Sequence, residues 1–286
     1  MKGYSCRRCS PSGDCSLVRN RLDGGSTPMK KFGIGEAMFA ISLAGLAGLS
    51  FVYGDFTPLL GPLPGPKILT YGLGAIVLAA CAGLFFARTL AASAITIAVC
   101  AVAWAAVSSP PIFHQPLSVG SWYGFSEAVT LLVGVWTLYA LSRRRDHAVA
   151  ATALIGDRAL RVGRILFGGA CLVYGFAHFA YSAYTLPFVP AWLPMRLPLV
   201  YLTGAFHIAA GVGLISGILP RLAATLEATM IILFGLLVWL PSHFAHPIPK
   251  WAGSPQNQWS ETIVNFLLAA VACMIAKSLR AGKVKT

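Results

Sequence analysis

The chain has 286 residues, of which 57% are hydrophobic and only 11% are charged. Soluble domains carry about 25% charged residues, so this composition excludes an ordinary water-soluble enzyme and a disordered chain. Lys and Arg number 22 against 9 Asp and Glu, which gives a net charge of +13. The placement of these charges, described below, indicates membrane topology rather than nucleic-acid binding.

Residues 1–28 differ in composition from the rest of the chain. They are rich in glycine, serine and charge, contain Cys6 and Cys9 in a Cys-x-x-Cys motif, and have no hydrophobic region of a secretory signal. Met29 is followed by two lysines and then by an apolar stretch, as a translation start would be. We therefore expect residues 1–28 to be an upstream extension or a disordered basic tail rather than a metal or redox site.

Eight apolar stretches follow, separated by charged joints or by joints rich in proline and glycine. A membrane-spanning helix needs about 20 mostly apolar residues to cross a hydrocarbon core about 30 Å thick. The sequence predicts such helices over Phe32–Tyr53, Ile68–Ala87, Thr89–Ser108, Tyr123–Ser142, Val162–Tyr184, Pro198–Gly217, Leu222–Pro241 and Ser260–Lys277. The chain is therefore predicted to be an all-α integral membrane protein.

The basic residues are segregated to one side of these predicted spans. With eight spans both termini lie on the same side, and all but three of the 22 Lys and Arg residues fall there. The exceptions are Lys67, Arg196 and Lys250. The positive-inside rule then predicts that both termini are cytoplasmic. Anionic lipid headgroups account for the basic excess, so the lipid bilayer is the expected partner and nucleic acid is not.

The two halves of the chain repeat each other at an offset of about 130 residues. The matched segments are Gly74-Ala75 with Gly204-Ala205, Arg88-Thr-Leu-Ala-Ala92 with Arg221-Leu-Ala-Ala224, Pro110-Pro-Ile-Phe-His114 with Pro241-Ser-His-Phe-Ala-His246, and Trp122-Tyr-Gly-Phe-Ser-Glu127 with Trp259-Ser-Glu261. An even number of spans per repeat gives both repeats the same orientation. We predict eight transmembrane helices as two same-orientation four-helix bundle repeats, over residues 29–148 and 149–286.

A glycine- and proline-based pattern marks the second half. It consists of Val189-Pro-Ala-Trp-Leu-Pro194, Tyr201-Leu-Thr-Gly204, Gly211-Val-Gly-Leu214 and Arg221-Leu-Ala-Ala224. This pattern resembles the DoxX / DoxX-like membrane protein family, best over residues 160–280 and more weakly over 32–142. The resemblance implies a protein of the bacterial inner membrane, linked in some members to quinone-dependent sulfur oxidation or to membrane redox complexes. The family often has an acidic residue where this chain has His207, so no mechanism is transferred to that position.

Ionisable side chains inside a membrane are costly and are the first candidates for function. In the second repeat they come from all four predicted helices, at a level near the extracytoplasmic side. The predicted catalytic residues are His178, His207 and Glu261, and the predicted cofactor-binding residues are His243, His246 and Trp259. The first repeat offers only Asp55, His114 and Glu127 in comparable places, with Ile76 near the position of His207. It is predicted to be a scaffold or a simpler copy.

Each histidine also has a purely structural interpretation. His207 can make a hydrogen bond between helices, and His178 can be an interfacial residue beside aromatic neighbours. His243 and His246 can mark the wet interface. These alternatives stay open at the level of the sequence.

The acidic residues have structural interpretations of their own. Glu127 and Glu261 are favoured near helix N-termini by the helix dipole. Because both accompany Trp and Ser, they are expected to form a cap common to the two repeats. Glu36 and Glu227 are placed toward the cytoplasmic ends and are expected to pair with nearby Lys or Arg.

Three functions compete. In the first, the chain is a membrane subunit of a quinone-linked or thiol/sulfur redox system and works with a redox partner protein. In the second, it holds a haem between His178 and His207. In the third, it is a small-solute carrier or a membrane assembly partner. The haem is the weakest of these, because the usual ligand motifs are missing. The sequence also lacks a phosphate loop, a dinucleotide fingerprint, a nucleophile elbow and a zinc signature, so no metal ligands are predicted.

Overall fold

The computed structural model describes residues 32–55, 67–143 and 156–281, without the side chains of the last two. Within these ranges the chain is helical and contains no β-strand. The predicted tail of residues 1–28, with its Cys-x-x-Cys motif, lies outside the described residues.

Eight long helices account for most of the described chain. They are α1 (Ile34–Tyr53), α2 (Lys67–Gly83), α3 (Leu90–Ser108), α4 (Val119–Arg143), α5 (Asp157–Ala180), α6 (Arg196–Ser216), α7 (Pro220–Ser242) and α8 (Pro255–Ala281). In the described part, seven of them are long and apolar enough to cross a membrane. The exception is α2, which has 17 residues. By length and composition the chain is thus a multi-pass helical membrane protein, and the eighth span stays a prediction.

The predicted helix boundaries differ from the observed ones mainly at polar turns. α8 begins at Pro255, whereas the sequence predicted a start at Ser260. The prediction was late because the first turn of α8 is polar and apolar residues define the predicted spans. Proline suits a first helical turn, where its missing N–H has no partner to lose. The fifth predicted helix was expected to reach Tyr184, but α5 ends at Ala180 and a separate short helix, Ser182–Thr185, follows.

The long helices form a closed ring. Each one packs against the next in the chain, and α8 packs back against α1. α4 and α8 also contact each other across this ring and divide it into two smaller ones. We call α8, α1, α2, α3 and α4 the first ring, and α4, α5, α6, α7 and α8 the second ring. The first helix of each half therefore packs against the last helix of the other half.

The first ring is filled by apolar side chains. Buried residues from its helices belong to one apolar cluster, among them Phe39, Leu43, Val77, Ile97 and Val271. The cluster continues into the second ring through residues such as Phe167 and Leu214. Close packing of this kind is what holds helices together in lipid, where water provides no driving force between them. At the edge of the ring, Lys277 of α8 donates a hydrogen bond to Glu36 of α1. The expected pairing of Glu36 with a cation is confirmed.

α5 and α6 approach each other through glycines. A Cβ atom built on Gly204 of α6 would lie 2.7 Å from the Cβ of His178 and 3.1 Å from the carbonyl oxygen of Gly175, both on α5. One built on Gly211 would lie 2.7 Å from the carbonyl oxygen of Gly168. Small residues let membrane helices pack with their backbones close together. This contact places His178 of α5 beside the turn of α6 that carries His207.

Candidate functional site

The second ring forms a cavity of about 1270 Å³ that is open on one side. All five helices of the ring contribute to its walls, together with the short helical segments Ser182–Thr185 and Leu186–Phe188. Most of the lining side chains are apolar. The titratable ones are Tyr123, Glu127, Tyr174, His178, Tyr181, Tyr184, His207, Glu227 and Glu261. No Lys or Arg lines the cavity within residues 67–143 and 156–279.

A buried histidine–glutamate pair joins α6 to α7 at the cavity wall. Nδ1 of His207 lies 2.7 Å from Oε1 of Glu227, and the two side chains are 5% and 0% exposed. No hydrogen bond of ordinary geometry reaches the second carboxylate oxygen of Glu227, and the buried thiol of Cys171 is a neighbour of this carboxylate. The expectation that Glu227 pairs with Lys or Arg was wrong. Glu227 lies two turns inside α7, where α6 supplies the nearest polar group, and Arg221 lies back at the helix start.

His178 of α5 is the immediate neighbour of this pair. Its ring centroid lies 5.3 Å from that of His207 and 6.0 Å from that of Phe234. Nδ1 of His178 is 3.2 Å from the carbonyl oxygen of Val200 and 3.1 Å from the hydroxyl of Thr203. If Nδ1 carries the hydrogen and donates to Val200, Nε2 keeps a lone pair that can accept a proton. The structure thus brings together two of the three residues predicted to be catalytic.

The third predicted catalytic residue, Glu261 of α8, faces the same cavity from another wall. Glu127 of α4 lines the same cavity, and α4 and α8 pack against each other. Neither residue caps its helix, because α4 begins at Val119 and α8 at Pro255, well ahead of each carboxylate. The predicted common cap is therefore wrong. Both residues lie one or more turns inside their helices and line the cavity.

Two tyrosines connect these carboxyl groups to the histidines. The ring of Tyr123 on α4 lies 5.5 Å from that of Tyr174 on α5, and the ring of Tyr174 lies 6.2 Å from that of His207. The Tyr174 hydroxyl is 3.1 Å from the hydroxyl of Thr130. We call the polar side chains that line this cavity, His178, His207, Glu227, Tyr174, Tyr123, Glu127 and Glu261, the polar layer.

The predicted cofactor-binding residues lie apart from this layer. His243 packs its ring 4.0 Å from that of Trp259, and its Nε2 lies 3.0 Å from the hydroxyl of Thr262. Burial lowers the pKa of His243 below its ordinary value of 6.5. Neither of these two rings lines the cavity, and His246 is exposed. The structure therefore groups His243 and Trp259 with each other, at the junction of α7 and α8, and not with His178 and His207.

A short segment between α5 and α6 covers one end of the cavity. Arg196 donates from Nε to the carbonyl oxygen of Val189 at 2.9 Å and from Nη2 to that of Leu186 at 3.0 Å. Phe188 in this segment packs its ring 5.6 Å from that of Trp239. Arg196, the first residue of α6, thus fixes this segment over the cavity.

The same segment is attached to the start of α4. The hydroxyl of Tyr181 accepts a hydrogen bond from the backbone N–H of Gly120 at 3.0 Å and lies 3.3 Å from the hydroxyl of Ser118. These contacts lower the pKa of Tyr181 below its ordinary value of 10. The covering segment is therefore tied to both halves of the chain.

Sequence reasoning missed four residues of the polar layer, namely Tyr123, Glu127, Tyr174 and Glu227. The signal for Glu127 was available, because its segment aligns with the one that contains Glu261. A glutamate in the otherwise apolar stretch of α7 was a comparable signal for Glu227. The two tyrosines carried no signal, because aromatic residues near helix ends are common at membrane interfaces.

An alignment of Gly74 with Gly204 makes Val77, rather than Ile76, the counterpart of His207 in the first half. Val77 and His207 are both buried, at 1% and 4% exposure. Ile76 pairs instead with Phe206, and these two are 54% and 53% exposed. The first ring therefore has an apolar side chain where the second has its histidine.

Comparisons of the chain with protein-family models, with curated proteins and with solved structures give no match. Function therefore has to be argued from the chemistry of the cavity.

Proposed function

We propose that the chain is a DoxX-like subunit of a redox system in the bacterial inner membrane, and that the cavity of the second ring binds a quinone-class molecule. The observation that carries the proposal is the buried His207–Glu227 pair on the wall of a large, mostly apolar cavity. Reduction of a quinone takes up two electrons and two protons. A site for it needs an apolar slot beside groups that exchange protons near neutral pH, which histidine does.

The fit of the cavity supports this ligand class. Its volume of about 1270 Å³ exceeds the usual range of about 300–1,000 Å³ for small-molecule pockets, so a ring with a hydrocarbon tail has room. Leu202, Leu222, Leu226 and Leu233 line it, and all four are partly exposed on α6 and α7. A lipid-soluble molecule therefore meets an apolar surface that continues from the outside of the ring to the polar layer.

Each polar residue of the proposed site has a separate role. Glu227 holds Nδ1 of His207, which fixes the orientation of the imidazole and leaves Nε2 to exchange a proton with a bound ligand oxygen. The same carboxylate stabilises the imidazolium when His207 is protonated. His178 supplies a second imidazole beside the first, and the apolar walls exclude water. The two electrons come from a redox partner protein.

The proposed topology has eight spans. At about 1.5 Å per residue, the 17 residues of α2 reach about 25 Å, enough to cross most of the hydrocarbon core. With α2 in the membrane both termini lie on one side, which the positive-inside rule makes cytoplasmic. The halves α1–α4 and α5–α8 are then two repeats of equal orientation. The identical order of helix neighbours in the two halves supports this arrangement.

Quinone binding is tested with the full chain in lipid nanodiscs. A short-chain quinone should quench tryptophan fluorescence in a saturable way, because Trp239 lines the cavity. His207→Ala should weaken this binding, and with the redox partner present it should lower quinone turnover at least about 100-fold. His246→Ala is the matched control, since that histidine is exposed and lies off the cavity. Wild-type turnover in His207→Ala would refute the proton-exchange role.

A small-solute carrier or an assembly partner is the alternative, because a polar layer within a membrane also suits solute passage. Vesicles that contain the chain alone separate the two. Accumulation of a solute without any change in its redox state, blocked by His207→Ala, would favour the carrier. Saturable quinone quenching without such accumulation favours the redox subunit.

A further inference from the structure

His178 of α5 is attached to α6 through one ring nitrogen only. Its Nδ1 atom lies 3.2 Å from the backbone carbonyl oxygen of Val200 and 3.1 Å from the hydroxyl oxygen of Thr203. Within the described residues its Nε2 atom makes no hydrogen bond, and the residue lines the cavity. Because Nδ1 is occupied, Nε2 is the nitrogen that His178 leaves for a molecule in the cavity.

The neighbours of Nδ1 determine where this imidazole carries its hydrogen. A backbone carbonyl oxygen accepts hydrogen bonds and never donates one. The hydroxyl of Thr203 donates its single hydrogen to the carbonyl oxygen of Leu199 or Val200, each 2.9 Å away. Both oxygens beside Nδ1 are therefore acceptors, and a bare Nδ1 would direct its lone pair at the carbonyl oxygen of Val200. Neutral His178 thus carries its hydrogen on Nδ1, and Nε2 has a lone pair.

Neighbouring hydroxyl groups of the cavity wall are also used within the chain. The hydroxyl of Thr130 donates to the carbonyl oxygen of Ser126 at 2.8 Å, so the hydroxyl of Tyr174 donates to Thr130. Thr229 donates to a backbone carbonyl oxygen of its own helix at 2.9 Å. No Lys or Arg lines the cavity in the part of the chain that the structure describes. At His178 the wall therefore offers an acceptor, and the ligand has to supply the hydrogen.

We propose that Nε2 of His178 recognises a hydroxyl group of the reduced ligand, the quinol, and that Thr203 is the positioning residue that holds the imidazole for it. This inference rests on the proposed function for the class of ligand. A quinol donates a hydrogen bond to Nε2, whereas a quinone has only carbonyl oxygens, whose lone pairs would face that of Nε2. The quinol therefore binds about tenfold more tightly than the quinone.

This preference acts on the redox equilibrium of the bound ligand. For a two-electron couple, tenfold tighter binding of the reduced form raises the reduction potential by about 30 mV. A bound quinone is then easier to reduce than a free one, which favours electron flow from the redox partner protein to the quinone.

The two neighbouring histidines have different roles in this account. His207 is held by the carboxylate of Glu227, whereas His178 is held by a carbonyl and a hydroxyl oxygen. An ionised partner stabilises a protonated imidazole more than neutral oxygens do. His207 therefore exchanges a proton with the ligand, while His178 accepts a hydrogen bond and distinguishes the reduced from the oxidised form.

The position of the hydrogen is tested without any ligand, by ¹⁵N NMR of the full chain in nanodiscs with labelled histidines. The spectrum is recorded at about pH 8, where an ordinary imidazole is neutral. His178 should show a protonated Nδ1 and a bare Nε2, and its signals are identified by their loss in His178→Gln. A protonated Nε2 in the wild type would overturn the inference.

The preference for the quinol is tested by quenching of tryptophan fluorescence with three probes. These are a short-chain benzoquinone, its quinol kept reduced without oxygen, and the dimethyl ether of that quinol. The wild type should bind the quinol about tenfold more tightly than either of the others, because the ether has no hydrogen to donate. Equal affinity for the quinol and its ether would contradict recognition of a hydroxyl group.

The positioning role is tested by Thr203→Val, which removes the hydroxyl and keeps the shape of the side chain. The preference for the quinol should fall to about threefold or less, while quinone affinity stays within about twofold. Thr203→Ser should restore the preference. Thr229→Val is the matched control, because that hydroxyl also lines the cavity but donates within α7.

An unchanged preference in Thr203→Val, or equal weakening of quinone and quinol, would refute the role of Thr203. Quinone binding without a preference for the quinol in the wild type would overturn the inference and leave the proposed function intact. If none of the three probes binds, the proposed function and the quinol preference fall together, and the NMR result still decides where His178 carries its hydrogen.

Discussion

The two rings of the molecule have the same order of helix neighbours but different interiors. The first is filled by apolar side chains, and the second forms a cavity with a polar layer. If Gly74 is aligned with Gly204 and Arg88 with Arg221, Val77 corresponds to His207 and Ala94 corresponds to Glu227. All four positions are buried. The comparison shows that the helices pack without a buried histidine or glutamate at these positions.

The difference between the two rings indicates why the second ring contains the His207–Glu227 pair. A buried hydrogen-bonded or ionic pair contributes little net stability, because the cost of removing both groups from water offsets their attraction. Intramembrane ionisable residues are costly as well. Since the first ring packs with valine and alanine at these positions, structural need does not explain His207 and Glu227. Their role has to be sought in the cavity.

The largest expected effect comes from breaking the pair on one side only. Glu227→Ala leaves a buried imidazole without its hydrogen-bond partner and opens a cavity in the packing, and together these should lower the free energy of unfolding by about 3–5 kcal/mol. The double variant His207→Val/Glu227→Ala, which gives the second ring the residues of the first, should recover part of that loss but fail to exchange protons with quinone. Unfolding in mixed detergent micelles measures both. A double variant less stable than Glu227→Ala would contradict the comparison.

A smaller effect is expected at the contact between α5 and α6. Gly204→Ala places a Cβ atom 2.7 Å from that of His178, and the helices have to move apart at a cost of about 1–3 kcal/mol. The midpoint of thermal unfolding should fall, and quinone affinity should fall with it as His178 moves away from His207. Gly169→Ala in α5 is the matched control, because nothing lies within 4 Å of a Cβ atom there. Equal destabilisation by both substitutions would refute the close-packing argument.

Substitution of the two cavity glutamates, Glu127 and Glu261, should affect quinone turnover more than quinone binding. Glu127→Gln/Glu261→Gln should lower quinone turnover by about tenfold or more, while the quinone dissociation constant stays within about twofold, because amides keep the shape of the site. Asn265→Ala, another residue of the cavity wall, controls for a change in shape. Loss of affinity with unchanged turnover of the bound complex would assign the pair to positioning.

The smallest effect concerns His243, which lies beyond the end of α7. Its pKa is lowered in the folded chain, so the unfolded chain binds a proton more readily than the folded one. Its contribution to stability is complete above about pH 6.5 and is lost as the pH falls below that value. Because the ring is partly exposed, the thermal midpoint of the wild type should drop between pH 7 and pH 5 by only about 1 °C more than that of His243→Gln. An identical pH dependence of the thermal midpoint in both proteins would show that His243 makes no such contribution.

Much of the fold could be predicted, because lipid imposes a strong requirement on every helix. Backbone polar groups need partners inside the segment, so long apolar runs have to be helices. The depth of each residue within the membrane could be estimated as well, since an α-helix rises about 1.5 Å per residue. This is why His178 and His207 were expected at nearly the same level, and their rings lie 5.3 Å apart.

What the sequence did not predict depends on how each helix is rotated and which helices meet. Glu227 was assigned to the cytoplasmic end, because depth alone does not show that it faces His207. Glu127 and Glu261 were expected to form a cap common to the two repeats, because their place in one cavity depends on the contact between α4 and α8, which joins the two halves of the chain. Such contacts follow from packing and not from any local pattern.

The most direct test of the account is to map where a quinone binds. A photoactivatable short-chain quinone, cross-linked to the full chain in nanodiscs and located by mass spectrometry, should label α6 and α7 around His207 and Glu227. An excess of unlabelled quinone should suppress this labelling. Saturable labelling confined to α1, α2 and α3, or the absence of any labelling that competes, would contradict the assignment of the second ring as the binding site.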